Sequence, residues 1–363
     1  MSPFRGFFGS PPPPPADTPP PTPAAPDWSA LFDLLEEGVL AVGPSKRVLL
    51  ANRSLAPLLG RPAGETIGKP LWEILRQREI TDMVDRALGE RAGETVEIPM
   101  NAAGERLFRV SSAAFAAAEG PGVLLTFVDL TQTRRLESAR KDFVANVSHE
   151  LKTPLTALRA SLDTLLEGAL EDKDHARDFL ATAVDQVDRL HRLIEELLTL
   201  SRLEKAGAPP APATCDAAEV ARRVLAALTP VAKKFNIALD PPADFLKVAA
   251  PLSEDELSQI LMNLCDNAIK FNRPGGRVTV TAAAEAGRVV IAVRDTGVGV
   301  AAEDQPRVFE RFYRADKARS KDTGGTGLGL AIVKHIVENR RGAVRLESTP
   351  GEGSVFEVSF PLS

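Results

Sequence analysis

The chain has 363 residues, 44% hydrophobic and 26% charged, which suits two or three domains of roughly 150 residues, each burying a core. Its 44 Lys and Arg against 49 Asp and Glu give a net charge of −5, which argues against nucleic acid as a partner. Cys215 and Cys265 alone exclude a disulfide framework and a multi-thiolate metal site, and no run approaches the ~18 apolar residues of a membrane span. Met1–Ser10 also lacks the apolar stretch of a secretory signal, so a soluble, cytoplasmic protein without a transmembrane segment is expected.

Residues 1–26 form a Pro-rich tail. Between Pro11 and Pro26, ten of sixteen residues are proline, which supports neither helix nor sheet and predicts an extended, solvated tether. A ligand for a proline-reading module is the alternative. Phe4, Phe7 and Phe8 ahead of it are too few to anchor the chain firmly to a partner or to a membrane surface.

Residues 27–131 read as one mixed α/β unit. A short helix is expected at Leu31–Leu35, and strands at Gly38–Val42 and Val48–Ala51 flank a turn. Helical stretches follow at Arg53–Leu59 and Leu71–Leu88, then strands at Glu94–Met100, Leu107–Ala113 and Gly122–Asp129. With neither His nor Cys in this stretch, a His-ligated haem and a cysteinyl flavin are disfavoured.

The period turns helical over 132–205. Leu136, Arg140, Phe143, Val147 and Leu151 share one face, and Phe179, Ala183, Val187, Leu190, Ile194, Leu197 and Ser201 share another on a second helix from Asp174 to Lys205. Gly168 and Glu171–Asp174 make the turn between them. A hairpin with one apolar stripe per helix still has a face to bury, and pairing with a second copy into a four-helix bundle would cover it. Residues 206–214, rich in Ala and Pro, are the next linker, and 215–363 return to α/β. Helices are expected there at Ala217–Ala227, Glu254–Lys270 and Leu328–Asn339, with strands at Val278–Ala282, Val289–Asp295, Ala343–Ser348 and Ser354–Phe360.

Three elements of this last segment carry chemistry. Asn263, Asn267 and Lys270 stand at i, i+4 and i+7 of one helix and so share a face. Two amides and an ammonium suit Mg²⁺ and phosphate, with Asn267 as the metal-binding amide; alone, the pattern would equally describe a solvated face. Asp295 ends a strand ahead of Gly297 and Gly299, and an ionised carboxylate is an acceptor suited to an exocyclic amino group such as that of adenine. Gly325, Gly327 and Gly329 then run into a helix, where backbone N–H groups can approach an anion.

In that order these residues resemble the nucleotide-binding boxes of sensor histidine kinases: Asn263–Lys270, Asp295–Gly299, Phe309-Glu-Arg-Phe-Tyr-Arg314 and Gly325–Gly329. Phe143-Val-Ala-Asn-Val-Ser-His149-Glu150-Leu-Lys-Thr153-Pro154 is similar to the phosphoacceptor box of the same family. Residues 27–131 resemble a PAS sensor domain closing on Asp129-Leu130-Thr131, and the layout is similar to the phosphate-regulon sensor type without its membrane anchor.

The resemblance implies an α+β multidomain chain: a PAS-like sensor, a helical hairpin dimerising to a four-helix bundle, and an α/β sandwich that binds ATP. It implies ATP and Mg²⁺ as cofactors, a homodimer, and a separate response regulator as partner. His149 would take the γ-phosphoryl group, a neutral imidazole having a free lone pair. Glu150 would orient the other ring nitrogen, Pro154 would bend the helix, and Glu150 with Thr153 would serve a phosphatase reaction. Arg314 would contact phosphate, with Arg311, Lys317, Arg319 and Lys321 in a lid above the nucleotide. His175, His191 and His335 are expected at the surface or in packing. The PAS-like segment would take a small apolar ligand, another protein or nothing, or serve as a dimer contact. A non-catalytic scaffold and an ATPase of the gyrase and chaperone type are the competing classes; neither has a use for the complete His149 box.

Overall fold

The computed structural model describes residues 28–100, 106–117, 119–205, 213–240, 249–315 and 325–362. The Pro-rich tail, most of the 206–214 linker, Gly324 and the lid residues Lys317, Arg319 and Lys321 lie outside them. The chain divides into two units, residues 1–139 and 140–363.

In the first unit, a turn closed by Gly43 N–H donating to the Arg47 carbonyl (2.9 Å) joins β1 (Gly38–Val42) to β2 (Val48–Ala51). Strands β3 (Thr95–Met100), β4 (Arg106–Ala117) and β5 (Gly120–Asp129) complete an antiparallel sheet of order β2-β1-β5-β4-β3. Helices α1 (Trp28–Asp33), α2 (Ala56–Leu59), α3 (Leu71–Ile74) and α4 (Arg78–Glu90) complete the unit, the last three contributing to its core. Alternate residues of β4 and β5, among them Val110, Leu125 and Phe127, face Ile80, Met83 and Val84 of α4 in one core. The single helix expected over Leu71–Leu88 is broken, because Leu75 is extended (φ −122°, ψ 103°). Buried Asn52 ties β1 to the chain ahead of it: its amide accepts Val39 N–H and donates to the carbonyls of Phe32 and Glu37, all at 2.8–2.9 Å. At the end of β5, the Asp129 carboxylate accepts Thr131 N–H (2.8 Å) where α5 (Thr131–Leu166) starts.

The second unit holds the hairpin and the terminal α/β layer. Helix α5 runs through Pro154 and turns at Gly168, whose φ of +131° suits glycine, into α6 (Lys173–Lys205). One apolar stripe per helix was expected, but α6 carries two. Ala176, Ala183, Leu193 and Leu200 are buried, whereas Leu180, Val184, Val187, Ile194 and Leu198 are exposed.

After the short β6 (Cys215–Asp216) come α7 (Ala217–Lys234), β7 (Ala238–Leu239), β8 (Ala249–Ala250) and α8 (Glu254–Lys270). Strands β9 (Arg277–Glu285) and β10 (Arg288–Asp295), helix α9 (Gly329–Asn339), and strands β11 (Ala343–Thr349) and β12 (Gly353–Pro361) follow. The sheet order is β11-β12-β10-β9-β7, antiparallel except for the β7–β9 pair. Its alternating buried residues, such as Val289, Ile291 and Val293, pack on the helices in a two-layer sandwich. Cys215 and Cys265 are buried, which pushes their thiols up to about 11 and about 12, so neither is a thiolate at neutral pH. Among the described residues, no helix is long and apolar enough to cross a membrane.

Candidate nucleotide and phosphoacceptor sites

Helix α8 begins on a capping box, in which Ser253 Oγ accepts Glu256 N–H (3.2 Å) and the Glu256 carboxylate accepts Ser253 N–H (2.8 Å). Glu256 also takes both arms of Arg340 (2.9 and 2.7 Å), which fixes α8 against the end of α9. With Leu257, Ile260, Leu261, Leu264 and Ile269 turned into the core, the helical period directs Asn263, Asp266, Asn267 and Lys270 into a cavity of about 480 Å³. That size suits a small-molecule ligand. Lys270 Nζ is held by Asp266 at 2.5 Å, and Asn263 donates to the Gln259 carbonyl at 2.9 Å.

Asp295 enters the same cavity from the end of β10, where it lies opposite Ser354 of β12. Burial pushes its carboxyl up from the usual range; hydrogen bonds from Gly297 N–H (2.8 Å) and Ser354 oppose that shift. Gly297 does not line the cavity. A Cβ there would strike the Phe271 carbonyl, so this glycine serves the turn that aims Asp295. Gly299 lines the wall, and a Cβ on it would meet the Thr349 carbonyl.

The three glycines at the start of α9 do three different things, although all line the cavity. Gly325 faces open space, Gly329 passes beneath the Asn263 amide, and Gly327 (φ +76°) lies against Phe312, whose Cα would be 2.8 Å from an added Cβ. Close approach to an anion was the expected reason for all three; at Gly327 and Gly329 a protein neighbour by itself also leaves no room for a side chain. Phe312 N–H donates to the Gly327 carbonyl (2.8 Å), and the Phe312 ring meets Phe143 of α5 with centroids 5.8 Å apart.

On the hairpin, His149 and Thr153 are exposed, and the Thr153 hydroxyl donates to the His149 carbonyl (3.2 Å). Glu150 was expected to orient the imidazole, but its carboxylate accepts a hydrogen bond from Arg189 of α6 (3.1 Å). Arg314, proposed from the sequence as a phosphate contact, lines the cavity; burial pushes its guanidinium down, Glu150 pulls it up and Arg189 pushes it down further. Arg311, expected in a lid, instead binds Glu204 (2.6 Å) and His335 (3.2 Å) and lies over the Phe143 ring. His335 is thus half-buried beside a charged pair, and burial together with Arg311 pushes it down. His175 pairs with Asp172 (2.7 Å), and His191 is exposed.

Two cavity residues come from α6, where the sequence carried no sign of them: Arg192 and Glu196. Nothing in a helical repeat says which turn will face another fold. Asp266 also lines the cavity and was passed over between Asn263 and Asn267.

Three family models match in chain order: the PAS fold over 32–135, the His Kinase A (phospho-acceptor) domain over 139–206, and the histidine kinase-, DNA gyrase B- and HSP90-like ATPase over 252–363. The chain is 43% identical over 239 residues to the sensor-like histidine kinase SenX3 of Mycolicibacterium smegmatis, covering 64% of this chain and 60% of that one. Against SenX3 of Mycobacterium tuberculosis it is 37% identical over 298 residues, 79% and 72% of the two chains. Against the sensor protein SrrB of Staphylococcus aureus it is 30% identical over 341 residues, 92% and 55% of the two. The chain therefore spans about 55–60% of the length of the first curated relatives it matches. An ATPase-type cavity, a histidine on a helical hairpin ahead of it and a PAS fold before both, with relatives matching across them, place the chain in the sensor histidine kinase family.

Proposed function

We propose that the chain is an ATP:protein-histidine phosphotransferase that phosphorylates His149 and passes the group to an aspartate of a separate response regulator. The division we assign is 27–131 sensor, 132–205 phosphoacceptor hairpin, 206–214 linker and 215–363 nucleotide domain. The observation that carries the reading is an exposed imidazole in the same unit as a cavity lined by Asn263, Asn267, Lys270, Asp295 and a glycine loop. Mg·ATP, when bound, supplies the phosphoryl group and metal charge that offsets the triphosphate.

The chain's own residues position and stabilise. Asp295, held by Gly297 N–H, offers an acceptor for an adenine amino group. Lys270, Arg192 and Arg314 bring positive charge to the cavity. Asn267 is the side chain that would hold Mg²⁺, an ion that needs few protein ligands when phosphates supply the others. Incubation with γ-labelled ATP should give acid-labile, base-stable label on the protein. Phosphate release without phosphoprotein would favour a simple ATPase, and binding without either would favour a scaffold.

Homodimerisation rests on the uncovered apolar residues Val144, Leu155 and Leu162 of α5 and Val184, Val187 and Ile194 of α6. Light scattering should give twice the 38.9 kDa of one chain. Replacing both Val187 and Ile194 by Asp should shift it to monomer at micromolar concentration; a monomeric wild-type protein would refute the bundle.

Glu150 and Thr153, one turn apart beside His149, would hold a water in line with the regulator's acyl-phosphate. Thr153→Ala should then lose about tenfold or more of phosphatase activity while keeping autophosphorylation, because its hydroxyl neither gives nor takes the phosphoryl group. Equal decay of phospho-regulator with wild-type and Thr153→Ala protein would end that assignment.

A further inference from the structure

The carboxylate of Glu196 accepts the hydroxyl of Thr326, and Thr326 Oγ1 takes the N–H of Leu328 (3.3 Å) just ahead of α9. Thr326 is buried between Gly325 and Gly327, inside the loop that the nucleotide reading gives to phosphates. Arg192, one turn back on α6, and Lys270 both pull on this carboxylate, and Asp266 opposes them; burial outweighs the attraction and pushes the group up. A hydroxyl next to backbone N–H at a helix start, an ammonium and a guanidinium are the partners that recognise a phosphate oxygen. Glu196 holds the first of them, the Thr326 hydroxyl, and lies in the field of Arg192 and Lys270.

We propose that Glu196 is an internal anion standing at the phosphate end of the nucleotide site, so that nucleotide phosphates and the seating of α6 on the glycine loop compete. The proposal rests on the nucleotide reading above. A phosphate and a carboxylate cannot share one hydroxyl without strong repulsion in a partly buried site. Nucleotide entry therefore displaces Glu196 from Thr326, and by linkage the seated hairpin weakens nucleotide binding by the same factor that nucleotide weakens the seat. Glu204 with Arg311 and the Leu203 carbonyl accepting from Asn339 (3.2 Å) do not involve Thr326, so losing the Glu196 contact breaks neither directly.

The test is calorimetric titration of the full chain with Mg·ADP and, separately, with adenosine. Glu196→Ala should bind Mg·ADP about fivefold or more tightly than wild type. Glu196→Gln, which keeps the shape and removes the charge, should fall between them and decides the matter if the alanine variant does not fold. Adenosine affinity should be the same in all three proteins, because it carries no phosphate to compete. Unchanged or weaker Mg·ADP binding by both variants overturns the proposal, and weaker binding would make Glu196 a support for the nucleotide. Asn267→Asp separates the two readings. If wild type binds and Asn267→Asp weakens binding while the Glu196 variants do nothing, the nucleotide site stands and the competition fails; if wild type binds no Mg·ADP, both fall.

Discussion

His149→Gln leaves no detectable label on the protein after incubation with γ-labelled ATP, while Mg·ATP affinity stays within about twofold of wild type. Glutamine keeps the length and a polar end but has no basic lone pair to attack phosphorus, so the loss is of the nucleophile itself. The binding half follows from position. His149 is exposed on α5 and is not among the residues that line the cavity. Calorimetry beside the labelling assay checks both halves, and phosphohistidine on the variant would remove His149 from the reaction.

Gly327→Ala is expected to lower Mg·ATP affinity by about tenfold or more, through the protein rather than through the ligand. At φ +76° an L side chain costs about 1–2 kcal/mol, and the new Cβ would also lie 2.8 Å from Phe312 Cα. Since about 1.4 kcal/mol is a factor of ten, the backbone strain alone nearly reaches that loss, and the clash carries it further. The loop must shift, taking with it the Phe312 N–H to Gly327 carbonyl bond. Gly325→Ala is the contrast, because its Cβ would enter open space. Weakened binding there would report a close phosphate, whereas weakened binding at Gly327 reports the loop. Equal Mg·ATP affinity in wild type and Gly327→Ala would show that this turn does not shape the site.

Much of this was legible because local rules and tertiary packing agree. The span of α8, whose start the structure shows on a capping box, and the i, i+4, i+7 spacing of Asn263, Asn267 and Lys270 are both local, and the structure keeps both. Where packing overrides local rules the reading fell short. Helix α7 was expected to stop at Ala227, ahead of Pro230, yet it continues to Lys234. A proline inside a helix costs about 3 kcal/mol, but burial of Leu228 and Ala232 on the far side of Ala227 offsets it, Leu228 alone contributing roughly 1.5–3 kcal/mol. The two stripes on α6 were read as one because Val187 and Ile194 are as apolar as Leu193 and Leu200, and only contact with a second fold tells them apart. The Glu150–Arg189 pair joins positions 39 residues apart on opposite arms of the hairpin, a distance at which no periodic signal exists.

The seat of the nucleotide domain on the hairpin buries Leu193 and Leu200 of α6 and sets the Phe143–Phe312 pair and the polar contacts of Glu196, Leu203 and Glu204 around them. Residues 206–214 join its two sides, and for short flexible connections the effective concentration is of order mM. A contact with a dissociation constant in that range leaves the seated and released forms both populated. Each change of about 1.4 kcal/mol at Glu204, Phe312 or Glu196 then moves their ratio tenfold. Doubling the length of the connection would cost only about 0.6 kcal/mol. The balance between a seated and a released form would therefore be set by the side chains of the seat far more than by the length of the connection.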